Sequence, residues 1–260
     1  IGVAGNYSKM RYWSPEFVLK QFDKLVEMGV YNIRIIDEMF LLNRKYYQPL
    51  CEGLVERGYG KDLMMWAYSR VDTVRRPEIL KLLRDAGIRW LGIGIESGDR
   101  EVRLEVSKGK FKDVDIKEVV RKVEDAGINV MANYIFGLPT DTQESMKKTL
   151  DLAVDLATLG WNGYSAMPLP GSQLYKDAVD AGWELPKDYV GYSFHSYTTT
   201  PVPTDNLTSK EILKFRDDAY TKYHTSKKFL KKVNDKYGQD AVDNIIKNTE
   251  IKLKRKLLGD

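Results

Sequence analysis

From residue 14 to residue 182 the chain alternates short apolar runs with amphipathic stretches that mostly stop at glycine. That alternation constrains the fold more than any other feature. Apolar runs read as strands at 32–38, 63–70, 89–98, 128–139 and 161–171. Helical spacing fills the intervals. The first helix has Ser14 as its cap, Pro15 at the first position, and Val18, Phe22, Leu25 and Met28 on one stripe before Gly29. Further helices read at 45–57, 76–87, 115–127, 140–160 and 172–182. Strand and helix recurring in units of roughly 30 residues build βαβ crossovers and a parallel sheet, and such crossovers wind right-handed. A doubly wound sheet and a (β/α) barrel both accommodate the pattern. No dinucleotide fingerprint follows the first strand, so the open sheet lacks its most useful marker.

Composition narrows the class. With 260 residues, 43% of them hydrophobic, the chain can bury a substantial core. No run approaches the ~20 apolar residues of a membrane helix. Ile1-Gly2-Val3 carries neither a starting Met nor a basic n-region, so the sequence is expected to be a fragment with no secretory signal. A single cysteine, Cys51, excludes an internal disulfide framework and favours a cytoplasmic setting. With only His195 and His224 beside it, no zinc cluster can form. The net charge of +4 is mild and disfavours a nucleic-acid partner.

In parallel α/β folds, chemistry sits at the C-terminal ends of the strands. The first strand ends in Asp37 and Glu38; the second in Ser69 and Arg70, with Asp72 beyond; the third in Glu96, Ser97 and Gly98. The fourth carries Asn133 and ends in Gly137-Leu138-Pro139, and the fifth ends in Pro168, Pro170 and Gly171. Singly, each has a structural explanation. Asp37 can cap a turn, Arg70 can pair with Asp72, and Gly-Leu-Pro can be a plain βα turn. Together they suit a ligand bearing an ammonium, a carboxylate and hydroxyls, and suit a bare phosphate poorly.

After Gly182 the pattern changes. Residues 183–206 are rich in Tyr, Thr and Pro without periodicity; rings such as Tyr192, His195 and Tyr197 either line a substrate mouth or close the barrel edge, the second being favoured. Residues 207–233 open with a capping box, Thr208 and Glu211, and read as helical; the basic tail, 244–260, also reads as helical, its lysines on a solvated face. The expected division is a partial barrel over 1–182 and an extension of helices and aromatic loop over 183–260.

The runs IIDEMF, YSRVDTV, GIGIESG, NYIFGLPTDT and PLPGSQLY, in this order, resemble the radical S-adenosylmethionine superfamily, and within it the branch often carrying an N-terminal cobalamin-binding domain. The resemblance implies a partial (β/α)6 barrel of TIM type, here without its first strand. It implies a 4Fe–4S cluster that binds S-adenosylmethionine and cleaves it reductively to a 5′-deoxyadenosyl radical. In cobalamin-dependent relatives methyl transfer follows, so methyltransferase chemistry and a cobalamin cofactor are implied too. An electron donor such as flavodoxin or ferredoxin and a small-molecule, lipid or sugar substrate complete the expectation.

Carried over by position, Asp37-Glu38 match the acidic motif that contacts the methionine ammonium, and Arg70 the arginine that pairs with the methionine carboxylate. Glu96 and Ser97 match the strand that contacts ribose and carboxylate. Ile135, Gly137 and Leu138 match the segment packed on adenine. Ser69 and Asn133 complete the expected cofactor set. Thr140-Asp141 departs from the usual Gly-Glu. The larger departure is the Cys-x3-Cys-x2-Cys cluster loop, which the sequence does not contain and which is expected immediately upstream of Ile1. The alternative is a cluster-free barrel that binds a ligand or partner without catalysis.

Overall fold

The structure, a computed structural model, describes residues 10–37, 39–107 and 114–260. Its five strands form one sheet in the order β1-β2-β3-β4-β5, so spatial order follows chain order, as in a partial (β/α) barrel. The strands are β1 (Asn32–Arg34), β2 (Met64–Arg70), β3 (Ile88–Glu96), β4 (Asn129–Phe136) and β5 (Gly160–Ser165). Each lies within an interval expected from the sequence, to within a residue or two at the ends. By contact density the described residues fall into two compact units, one of Met10–Ile95 with 114–133, the other of 96–107 with Tyr134–Asp260.

In the first unit, α1 (Pro15–Glu27) starts where the Ser14 hydroxyl accepts the Phe17 amide at 3.2 Å, and it buries Leu19 and Phe22. It packs on α2 (Arg44–Glu56), which Asn43 caps and whose buried side is Tyr46, Tyr47, Leu50, Cys51 and Leu54. α3 (Pro77–Asp85) and α5 (Ile116–Asp125) bury Ile79, Leu80 and Leu83, and Ile116, Val119, Val120 and Val123 respectively. β1 pairs with β2, and β2 with β3, in parallel. Alternation along β2 buries Met65, Ala67 and Ser69 on one face and leaves Trp66, Tyr68 and Arg70 half-buried on the other.

The strand expected over 32–38 stops at Arg34. Among the described residues it is the edge of the sheet, with one pairing partner. The Ile35 amide still donates to Trp66 O at 2.8 Å, and beyond it Ile36 is 82% exposed.

In the second unit, a helix not expected from the sequence, α4 (Arg100–Val106), follows β3; Asp99 caps it by accepting the Glu101 and Val102 amides. α6 (Gln143–Leu156) begins with a capping box of Thr142 and Ser145, and α7 (Gln173–Asp180) with the Ser172 cap. The stretch expected as helical over 207–233 is two helices, α8 (Ser209–His224) and α9 (Lys227–Tyr237). The break comes where Thr225 bonds back to Thr221 and Ser226 takes up extended backbone. α10 (Gln239–Thr249) replaces only part of the helical tail. The chain then runs without helix to Arg255, which is fully buried. Its guanidinium grips the Asp217 carboxylate at 2.7 and 2.8 Å and donates to Ser196 O at 2.8 Å. A buried ion pair, invisible to local pattern, overrides the expected helix.

Candidate functional site

The tip of β3 belongs to the second unit. Glu96 has φ 66, a left-handed backbone that costs a residue with a Cβ about 1–2 kcal/mol. Its side chain is half-buried, and among the described residues the carboxylate has no hydrogen-bond or ion-pair partner. Burial pushes its pKa up to about 7.

Ser97, next to it, is fully buried and fully engaged. The Asp99 amide donates to Ser97 Oγ at 3.1 Å, Ser97 Oγ lies 3.1 Å from Thr149 Oγ1, and Thr149 Oγ1 donates to Ser145 O at 3.0 Å. Because Thr149 gives its hydrogen to Ser145, Ser97 must be the donor to Thr149. Gly98 also donates to Thr149 Oγ1, at 2.9 Å, and Arg103 holds Ser97 O at 2.7 Å. A Cβ on Gly98 would stand 2.4 Å from the Lys148 carbonyl oxygen, so only glycine lets the tip lie this close to α6. Ser97 and Gly98 therefore dock the strand end on α6, while the Glu96 carboxylate has no hydrogen-bond or ion-pair partner among the described residues.

The end of β4 is fastened in the same unit. Asp141, 1% exposed, accepts the amides of Gly137 and Leu138 at 3.0 and 2.9 Å and the Ser145 hydroxyl at 2.5 Å. Burial raises its pKa against the opposing pull of these hydrogen bonds. The Thr140-Asp141 departure is thus a buried clasp on the Gly137-Leu138 turn. Ile135 is half-buried against Ala166, Ala178 and Val202, and Leu138 is buried. Residues 183–203 close the edge beyond β5: Val202 N donates to Ala166 O at 3.4 Å, and Phe194 packs edge-on to Tyr164 at 5.0 Å beneath the Arg216 guanidinium.

The first unit holds Asp37, Ser69, Arg70 and Asn133; Glu38 lies outside the described residues. Asp37 is exposed in the loop after β1. Arg70 makes a two-pronged pair with Asp72, at 2.8 and 2.5 Å, which raises its pKa; the pairing with Asp72 noted in the sequence is real, and it occupies two of the five donors. Ser69 points to the opposite face of β2 from Arg70, where its hydroxyl is buried with no partner among the described residues. Asn133 Nδ2 donates to Ile93 O and Met131 O, both at 3.3 Å.

The residues present fit one implied group and not the other. An unpartnered, half-buried carboxylate at a strand end suits a polyhydroxylated, cationic ligand such as S-adenosylmethionine. A 4Fe–4S cluster needs three or four thiolates. Cys51 is 0% exposed inside α2, and burial drives its thiol up to about 12. Among the described residues, no three His, Cys, Asp or Glu side chains gather to hold a metal. The cluster ligands are not residues of this chain. Among the described residues, no helix is long and apolar enough to cross a membrane.

Comparison with known proteins agrees with this geometry. Residues 3–153 match the family described as the Radical SAM superfamily. The anaerobic magnesium-protoporphyrin IX monomethyl ester cyclase of Cereibacter sphaeroides is 27% identical over 230 residues, 85% of this chain and 36% of that protein. The hopanoid C-2 methylase of Rhodopseudomonas palustris is 31% identical over 147 residues, 55% of this chain and 28% of that protein. The chain thus spans about a third of the length of these relatives. Among solved structures, the radical S-adenosylmethionine methyltransferase TsrM of Kitasatospora setae, with cobalamin and a 4Fe–4S cluster bound, superposes with a TM-score of 0.58 at 21% identity, over 67% of this chain and 33% of that one. The matched residues cover more than half of the sequence and contain β1 to β4 with the Glu96 tip: the chain belongs to the radical S-adenosylmethionine superfamily.

Proposed function

We propose that this chain is the S-adenosylmethionine-binding barrel of a radical enzyme whose whole protein performs a C–H transformation, with methyl transfer aided by cobalamin as the favoured class. One observation carries the reading: the strained, partnerless Glu96 carboxylate at the end of β3. A strained carboxylate without a partner is a cost to folding, and a ligand hydroxyl is what offsets it. In this role Glu96, in the second unit, accepts the ribose hydroxyls; Asp37 and Arg70, in the first unit, take their roles toward the methionine ammonium and carboxylate from the family resemblance alone. Ile135 and Leu138 offer apolar surface to adenine beside the turn amide of Gly137. Asn133, Ser69 and Ser97 position strands. In this superfamily S-adenosylmethionine supplies a 5′-deoxyadenosyl radical, and the thiolates that this requires lie outside the residues of this chain. For the whole protein we propose a one-electron donor such as flavodoxin or ferredoxin and a small-molecule or lipid substrate. The names of the relatives, a monomethyl ester cyclase and a C-2 methylase, support this class.

The test is calorimetry of S-adenosylmethionine against the chain. With the Glu96 pKa at about 7, affinity should rise severalfold from pH 6 to pH 7.5 as the carboxylate ionises. Glu96→Gln should bind more weakly and lose that pH dependence. Identical binding by the variant at both pH values overturns the assignment. No binding at all by the parent chain favours the cluster-free reading.

A further inference from the structure

A cavity of about 640 Å³ lies wholly within the second unit, between α8, the chain after α10 and the loop that carries His195. That volume is in the range of small-molecule sites. No described strand residue lines it, so it is separate from the Glu96 tip. One part of its wall is apolar, formed by the Tyr220 ring, Ile251, Leu253 and Leu258. Ile251 is 68% and Leu253 41% exposed, so apolar carbon stands open to water along the tail. The other part is charged, and its charges are unequally satisfied. Lys214 pairs with Asp218 at 2.6 Å. Asp217 is held by Arg255 at 2.7 and 2.8 Å and by Arg216 at 2.9 Å, which commits both guanidiniums to one carboxylate. Asp260 turns Oδ2 onto the Arg255 amide at 2.8 Å. Lys210 and Lys252 also line the cavity, and they have no hydrogen-bond or ion-pair partner among the described residues. Two ammoniums are therefore free to meet an anion. His195, on the same wall, feels the positive surroundings. Burial and then the nearby Arg216 and Arg255 hold its pKa below the ordinary imidazole range, against the pull of Asp217.

We propose that this cavity is a second binding site, which takes one amphiphilic phosphate monoester: its head on Lys210 and Lys252, its apolar body along Tyr220, Ile251, Leu253 and Leu258. The cation type decides the head. A planar carboxylate is best met by the two-pronged fork of an arginine, and both forks here are spent on Asp217. The cations left are ammoniums, compact point charges that suit the several charged oxygens of a phosphate. Size and surface decide the body. Inorganic phosphate would leave most of the cavity empty and the tail carbon uncovered. An alkyl or aryl chain covers Ile251 and Leu253, and that burial favours binding. The wall is concave, so it admits a single molecule and not the plane of a bilayer.

The test is calorimetry of octyl phosphate, kept below its micelle concentration, against the chain. Inorganic phosphate, octyl glucoside and octanoate are the contrasts, and each should bind about tenfold more weakly or worse. Lys210→Gln and Lys252→Gln should each weaken octyl phosphate about fivefold, and Leu253→Ala about threefold. Lys227→Gln, at an exposed lysine of α9 outside the cavity, should leave it unchanged. All four positions are exposed, so the variants keep the fold. A second readout is the proton NMR titration of His195, one of only two histidines in the chain. Its pKa should rise when octyl phosphate binds, because a nearby anion favours the imidazolium, and should stay put with octyl glucoside. The proposal is overturned if octyl phosphate does not bind, if any contrast binds as tightly, if the Lys210 and Lys252 variants match Lys227→Gln, or if His195 does not respond. Sedimentation with vesicles of phosphatidylcholine and phosphatidic acid checks the source of the phosphate. The chain should stay in solution; co-sedimentation that Lys210→Gln abolishes would assign the lysines to a membrane surface and overturn the single-molecule site.

Discussion

The Ser97 hydroxyl lies 3.1 Å from the Thr149 hydroxyl, and through that contact the end of β3 is tied to the middle of α6. Thr149→Val keeps the volume but leaves the Ser97 hydroxyl and the Gly98 amide without their acceptor. Each orphaned buried group costs about 1–3 kcal/mol, so the variant should lose about 2–3 kcal/mol, read as a lower urea midpoint with an unchanged slope. Affinity for S-adenosylmethionine should fall with it, because the Glu96 tip is no longer held.

Glu96 makes stability depend on pH in a stated direction. Its folded pKa of about 7 lies above its unfolded value near 4.3, so between those values the folded chain holds a proton that the unfolded chain has lost. Its contribution is therefore favourable at the low end of that window and is lost as pH rises to about 7, by an amount on the order of 3–4 kcal/mol. Unfolding of the parent chain and of Glu96→Gln at pH 5 and pH 8 should show the difference shrinking in the variant. An equal pH response in both would contradict the assignment.

Asp141 works as an acceptor. Asp141→Ala removes the acceptor of the Gly137 and Leu138 amides and should cost about 3 kcal/mol in a thermal or urea melt. Asp141→Asn retains a carbonyl oxygen for those amides and, with burial already disfavouring the charge, should stay within about 1 kcal/mol of the parent.

Arg255 should govern how well the tail is held. Arg255→Ala breaks its two-pronged pair with Asp217 and frees Ser196 O, a loss of about 3 kcal/mol. Brief trypsin digestion should then cut at Lys252, Lys254 and Lys256 faster than in the parent. Arg255→Lys should not restore protection, because an ammonium cannot reproduce the fork.

The parts that were legible in the sequence are those written in local pattern. Apolar periodicity and the Ser14-Pro15, Thr208-Glu211 and glycine signals place strands and helices that the structure reproduces, because caps and amphipathic faces are decided within a few residues. α4 was missed although Asp99 followed by Glu101 is a helix-start signal; the run is short and the apolar stripe sparse. The docking of Ser97 on Thr149 spans 52 residues. The stacking of Trp66 on Trp90 depends on strand register, and the burial of Arg255 on an aspartate 38 residues earlier. Neither distance nor register leaves a mark in a sequence window.

The left-handed backbone at Glu96 has a consequence for how such a chain changes under selection. Glycine would occupy φ 66 without the Cβ penalty and would remove a partly desolvated acid as well. A library of variants sorted only for heat resistance should therefore enrich glycine at position 96, and under the proposed role of Glu96 each enriched clone should bind S-adenosylmethionine more weakly. Sorting the same library on retained S-adenosylmethionine would keep the glutamate. Position 96 is where the two sortings diverge.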